Sequence, residues 1–180
     1  MMRMQPTPAT PPALSRQARL VAIAIGLGLM ALLGLSIARL HAAPTVVYDH
    51  PLHVTNRPVS AAPAAGESAD ATGGQPRLEI PVTFHDFGSI GATQVVRQDF
   101  LLTNRGSVPL RIRSAYTTCG CTTAEFSASV IPPGKAARIT LTYDAGYHHA
   151  AGNTVRRGLV IRSNDPHQGQ VEIWIQATLR

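Results

Sequence analysis

In Val171-Glu172-Ile173-Trp174-Ile175-Gln176-Ala177-Thr178-Leu179 the residues Val171, Ile173, Ile175, Ala177 and Leu179 recur at every second position. Successive side chains of an extended chain point to opposite faces, so this spacing makes a strand with one face in a core. Glu172, Trp174, Gln176 and Thr178 fall on the other face. The same period runs through Ala137, Ile139, Leu141 and Tyr143, and through Leu78, Ile80, Val82 and Phe84. Nothing from Arg77 onward repeats at the spacing of a helix.

The breaks between these runs carry turn chemistry. Asn104-Arg-Gly-Ser107, Ile131-Pro-Pro-Gly134 and Asn164-Asp-Pro-His167 each combine residues that favour tight reversals. Between them the pattern predicts seven strands, at 77–84, 94–103, 108–116, 122–127, 136–143, 154–163 and 170–179. Short strands at this spacing predict an all-β, seven-stranded immunoglobulin-like sandwich over residues 77–180. Its only two cysteines, Cys119 and Cys121, are too close in sequence to bridge two sheets. Apolar packing alone must therefore hold the sheets together.

Upstream the composition changes. Leu20 to Ala38 is free of charge, and Arg3, Arg16 and Arg19 precede it with no acidic residue among them. A helix of that length spans roughly the 30 Å hydrocarbon core, and the positive flank keeps residues 1–19 in the cytoplasm. This reads as a single transmembrane helix at 20–40 in the inner (cytoplasmic) membrane, with the folded domain facing the periplasm. A signal peptide cut after Ala38 or near Ala43, which would release the protein, is the competing reading. Residues 41–76 are rich in Ala, Pro and Gly and read as a flexible linker, with a short extended patch at Val46–Tyr48 as the exception considered.

The formal net charge is +6. From Arg77 onward eleven basic side chains face seven acidic ones, scattered along the strands and without a nucleic-acid-binding motif. Nucleic acid is excluded as a partner; a bilayer and a protein partner in the cell envelope are the expected ones. No nucleophile elbow, phosphate loop or His-Glu-x-x-His occurs, so no enzymatic activity is expected.

The stretch Phe100-Leu-Leu-Thr-Asn-Arg-Gly-Ser-Val-Pro-Leu-Arg-Ile112 precedes Thr118-Cys-Gly-Cys-Thr122, Ile131-Pro-Pro-Gly134, Tyr143-Asp144 and Ser163-Asn-Asp165. This order resembles the bacterial domain of unknown function 1573, a family similar to the ASH and major-sperm-protein domains. The resemblance runs from about Phe84 to Leu179. It implies an exported β-sandwich and carries no established activity. The loop Tyr147-His-His-Ala-Ala151 is bulkier than the resemblance leads one to expect.

In a seven-strand antiparallel sandwich, alternate connections open at the same pole. That parity puts His85, Cys119, Cys121, His148 and His149 at one end and His167 at the other. Three readings of the thiols are open. Both can ligate Cu(I) with His148 or His149 as third donor, since soft sulfur selects a soft ion. They can instead form a disulfide around Gly120, open to thiol–disulfide exchange. Or they are small structural side chains ending a strand. The function expected is a non-enzymatic, membrane-anchored extracytoplasmic binding module, with a Cu(I) chaperone or sensor, or a thiol-redox module, as the alternative.

Overall fold

Two sheets face each other across an apolar core in the computed structural model, which describes residues 43–60, 73–148 and 151–180. The strands are β1 Leu52–Val54, β2 Val59–Ser60, β3 Leu78–Glu79, β4 Phe84–Ile90, β5 Val95–Asn104 and β6 Leu110–Thr117. After them come β7 Thr122–Phe126, β8 Val130–Ile131, β9 Ala136–Asp144, β10 Thr154–Ser163 and β11 Gln170–Leu179. A short 3₁₀ turn, Ala145–His148, follows β9. One sheet runs β1-β7-β9-β5-β3; the other runs β2-β6-β10-β11-β4, with β8 paired to β6.

The alternation read from the sequence is the alternation buried. Ile173, Ile175, Ala177 and Leu179 of β11 are at most 1% exposed, as are Ile139 and Leu141 of β9 and Leu159 and Ile161 of β10. Phe126, Leu102, Leu110 and Ile112 complete the centre. No disulfide crosses between the sheets, so area burial holds them. Trp174, on the outer face of β11, lies over Gly158 of β10: a side chain at Gly158 would meet its six-membered ring at 2.9–3.1 Å. The tryptophan thus covers the spot that glycine leaves bare.

Two expectations are corrected. The first predicted strand, 77–84, is not one strand. Leu78 and Glu79 pair with Asn104 and Thr103 of β5, after which the chain leaves that sheet and Phe84 onward pairs in parallel with β11. Continuing the first register would set Pro81 opposite Leu101, and proline has no N–H to give to the ladder. Val82 and Phe84, expected in the core, are consequently 58% and 44% exposed.

The second correction concerns the linker. Residues 43–60 belong to the sandwich, and residues Pro44 to Arg180 form one unit. Val47 and Ala136 bond through their backbones at 2.8 Å, β1 extends the first sheet beside β7, and β2 extends the second beside β6. Val54 is fully buried. Strands of two or three residues are too short to show a period, and an Ala- and Pro-rich composition hides them. Among the described residues no helix is long and apolar enough to cross a membrane. The predicted helix at 20–40, and residues 61–72 of the predicted linker, lie outside the described residues.

Candidate thiol and metal site

The connection from β6 to β7 is held on both sides before its sulfurs are considered. Thr117 Oγ1 donates to the carbonyls of Cys119 and Thr122 at 3.1 and 2.8 Å. Thr118 N donates to Gly158 O, and Thr118 Oγ1 accepts from Gly158 N, both at 2.9 Å. Asp144 N donates to Cys121 O at 2.9 Å. These bonds tie the loop to β9 and β10 and fix where its side chains point. The threonines flanking Cys-Gly-Cys are its frame.

Cys119 and Cys121 are joined by a disulfide, with S–S 2.06 Å and Cα–Cα 5.2 Å. Cys121 is buried at 3% exposure, and Cys119 is half-buried. His148, at the end of the 3₁₀ turn, places Nε2 3.2 Å from Cys119 Sγ. Arg157 of β10 donates from Nε to Cys121 Sγ at 3.2 Å. Each sulfur therefore has its own nitrogen neighbour. Gly120 lies under Tyr147 and Asn56: a side chain there would come within 2.9 Å of the Tyr147 hydroxyl, the end of an exposed side chain that would have to move aside, and 3.5 Å of Asn56 Nδ2.

The donor atoms of Cys119, Cys121 and His148 all lie within 4.8 Å of one another. Of the residues predicted to share this pole, these three meet. His149 lies outside the described residues. His85 does not join them: it sits within β4 opposite Ile175, its ring edge-on to Phe87 at 4.6 Å between centroids. The split of the first strand at Pro81 moved it from a loop into a ladder. His50 contacts Asp49 at 2.7 Å and His53 contacts Glu125 at 3.7 Å, both away from the sulfurs. His167 is at the opposite pole beside Gln75, at 3.0 Å.

Arg157, Tyr147 and Asn56 were not legible as site residues. Arg157 is 36 residues from Cys121 and reaches it only because β10 lies beside β6. Asn56 belongs to the stretch between β1 and β2 that composition disguised as linker. Nearby, burial raises the Tyr143 phenol above its ordinary value, with Arg157 pulling the other way.

The other quoted motifs serve the fold. Asn104, fully buried, donates to Val108 O and Ile131 O at 2.8 and 2.9 Å. Its Oδ1 accepts from Gly106 N and Arg77 N at 2.9 and 3.3 Å. Asp165 accepts from the backbone of Leu78, His167 and Gln168 at 2.6, 2.8 and 3.1 Å. Both stand at the pole opposite the sulfurs.

Residues 78–179 match the family described as "Protein of unknown function (DUF1573)". Among solved structures, a protein of unknown function from Porphyromonas gingivalis W83 is 25% identical with a TM-score of 0.53. That match covers 58% of this chain and 47% of the other, so this chain spans about half of its length. The ASH/PapD-like domain of human CEP192 is 8% identical, with TM-score 0.45 over 59% of this chain and 87% of that one. The YadV chaperone is 17% identical, with TM-score 0.42 over 57% of this chain and 51% of that one. No curated protein matches the chain.

Proposed function

The chain belongs to the DUF1573 family, and on that premise we propose that it is a membrane-anchored, extracytoplasmic binding module whose reduced thiol pair takes Cu(I). The observation that carries this reading is the gathering of two sulfurs and one imidazole nitrogen within 4.8 Å of one another. Two thiolates and an imidazole suit a soft monovalent ion and fall short of the four donors of a structural zinc site. The disulfide is the oxidised form of the site. Its reduction consumes two electrons and two protons and yields two thiols, whose protons leave when the metal binds.

A purely structural bridge is the weaker reading. Chain-entropy arithmetic gives only about 1.6 kcal/mol for closing a three-residue loop. Cys121 is itself buried in the core and Cys119 packs against it, places that two small thiols can hold without the S–S bond.

Arg157 favours a second use of the same loop. An incoming thiolate that attacks the more accessible Cys119 Sγ breaks the S–S bond and leaves the electron pair on Cys121 Sγ. That thiolate forms beside a guanidinium 3.2 Å away, which favours it as a leaving group.

The test is anaerobic Cu(I) titration of the reduced full chain against a competing chelator. One tight equivalent is expected, lost in Cys119→Ser and Cys121→Ser and weakened about tenfold in His148→Ala. Unchanged affinity in Cys119→Ser rejects copper. For the exchange reading, Arg157→Gln should slow reduction by an external thiol and leave the copper affinity near wild type.

A further inference from the structure

β5 has an open side. Ala145 N bonds Gln94 O at 3.0 Å and Asn104 N bonds Lys135 O at 2.9 Å, which fixes the phase of the β5–β9 ladder. Even-numbered residues of β5 exchange hydrogen bonds with β9, and odd-numbered ones direct both backbone groups the other way. On that side β3 reaches only Asn104 and Thr103. Among the described residues no strand pairs with Val95, Arg97, Asp99 or Leu101 there. The Gln98 side chain donates to Asp99 O at 2.9 Å.

The other sheet margins are less suited to accept a strand. β1, β2 and β3 have three, two and two residues. β4 is bent by Gly88 at φ 65° and by a register shift against β11. Among the described residues only β5 offers a long, regular run of free donors and acceptors, the feature by which sheets add a further strand.

We propose that β5 pairs antiparallel with β5 of a second copy of this chain, about a two-fold axis at Gln98. The side chains of the odd-numbered residues select this register. With the axis at Gln98, Arg97 faces Asp99 of the other copy, and Asp99 faces its Arg97. Val95 faces Leu101 at both ends. Val95 is 53% exposed, an apolar surface that the pairing covers. Shifting the axis to Arg97 sets arginine against arginine, and shifting it to Asp99 sets aspartate against aspartate. Opposed like charges on adjacent strands destabilise and opposite charges stabilise, so neighbouring registers are rejected and this one is self-complementary. The register closes about eight backbone hydrogen bonds. Asp99 keeps its bond from Thr140 Oγ1, 2.7 Å, through Oδ1, leaving Oδ2 for the facing arginine.

The full chain in detergent solution, labelled at its amino terminus with donor or acceptor fluorophores in separate batches, tests this by energy transfer against concentration. Wild type is expected to associate. Arg97→Asp puts acid against acid and Asp99→Arg base against base, and each should weaken association at least about tenfold. Mixed in equal amounts, the two variants should associate with each other at wild-type strength, because every facing pair is again opposite in sign. The double variant should also recover. A wild type that stays monomeric, single variants that associate as well as wild type, or a mixture no better than its components would each overturn the proposal. Recovery on mixing also separates lost pairing from lost folding, since a misfolded chain would not be rescued by its counterpart.

Discussion

Replacing Asp165 by Asn changes one oxygen to an NH2 group at the point where the β10–β11 turn grips the start of β3. Asp165 Oδ1 accepts from His167 N and Gln168 N, and Oδ2 accepts from Leu78 N at 2.6 Å. An amide that keeps its oxygen toward the two turn donors must present NH2 to Leu78 N–H. Leu78 is 4% exposed, so water does not easily take the lost partner's place. A buried donor left unpaired, with a charge-assisted bond removed, costs about 2–3 kcal/mol. For a domain of this size that lowers the melting midpoint by roughly 6–10 °C.

The pH dependence separates this cause from general damage. Burial pushes the Asp165 carboxyl up, but the N–H groups of Leu78, His167 and Gln168, and His167 itself, hold it on balance below its ordinary 3.8. A carboxyl lowered on folding contributes stability above the unfolded-state value and loses it as pH falls through the folded-state value. Wild type and variant should therefore differ most near neutrality and converge below about pH 3.8. Thermal melts followed by circular dichroism from pH 2 to 7 read both effects. A midpoint within about 2 °C of wild type at pH 7, or a gap that does not narrow in acid, would refute the assignment.

Two further substitutions address the same pole and should leave the Cu(I) affinity untouched. Asn104→Ala strips four hydrogen bonds from a fully buried position and should cost about 3–5 kcal/mol in denaturant unfolding. A cost under about 1 kcal/mol would show that water satisfies the freed groups. Gly106→Ala would bring a side chain to 2.2 Å from Gln75 O and 2.6 Å from Arg77 N. These are backbone atoms that cannot swing aside, so the expected loss of about 2–4 kcal/mol should appear as a lowered midpoint with unchanged denaturant slope.

What the sequence determined by itself is the framework. Period-two runs such as Val171–Leu179 place half-buried strands because side-chain direction in an extended chain is local geometry. Six of the seven predicted strands appear with ends displaced by at most two residues. The Asn104 and Asp165 motifs were visible as turn chemistry, though their role in tying down β3 was not. The parity of the connections brought the sulfurs and His148 to one pole for the same reason, that antiparallel strands alternate direction.

Tertiary structure decided the rest. Whether Leu78 to Phe84 stays in one sheet depends on what Pro81 would have to face, and that partner, Leu101, is twenty residues away. Leu52–Val54 and Val59–Ser60 are too short to carry a period, and they become strands only because β7 and β6 offer edges to them. Arg157 reaches Cys121 across neighbouring strands, a proximity no spacing along the chain encodes. Local pattern fixes which residues face inward, whereas pairing between distant segments fixes which groups meet, because those contacts exist only once the chain has closed on itself.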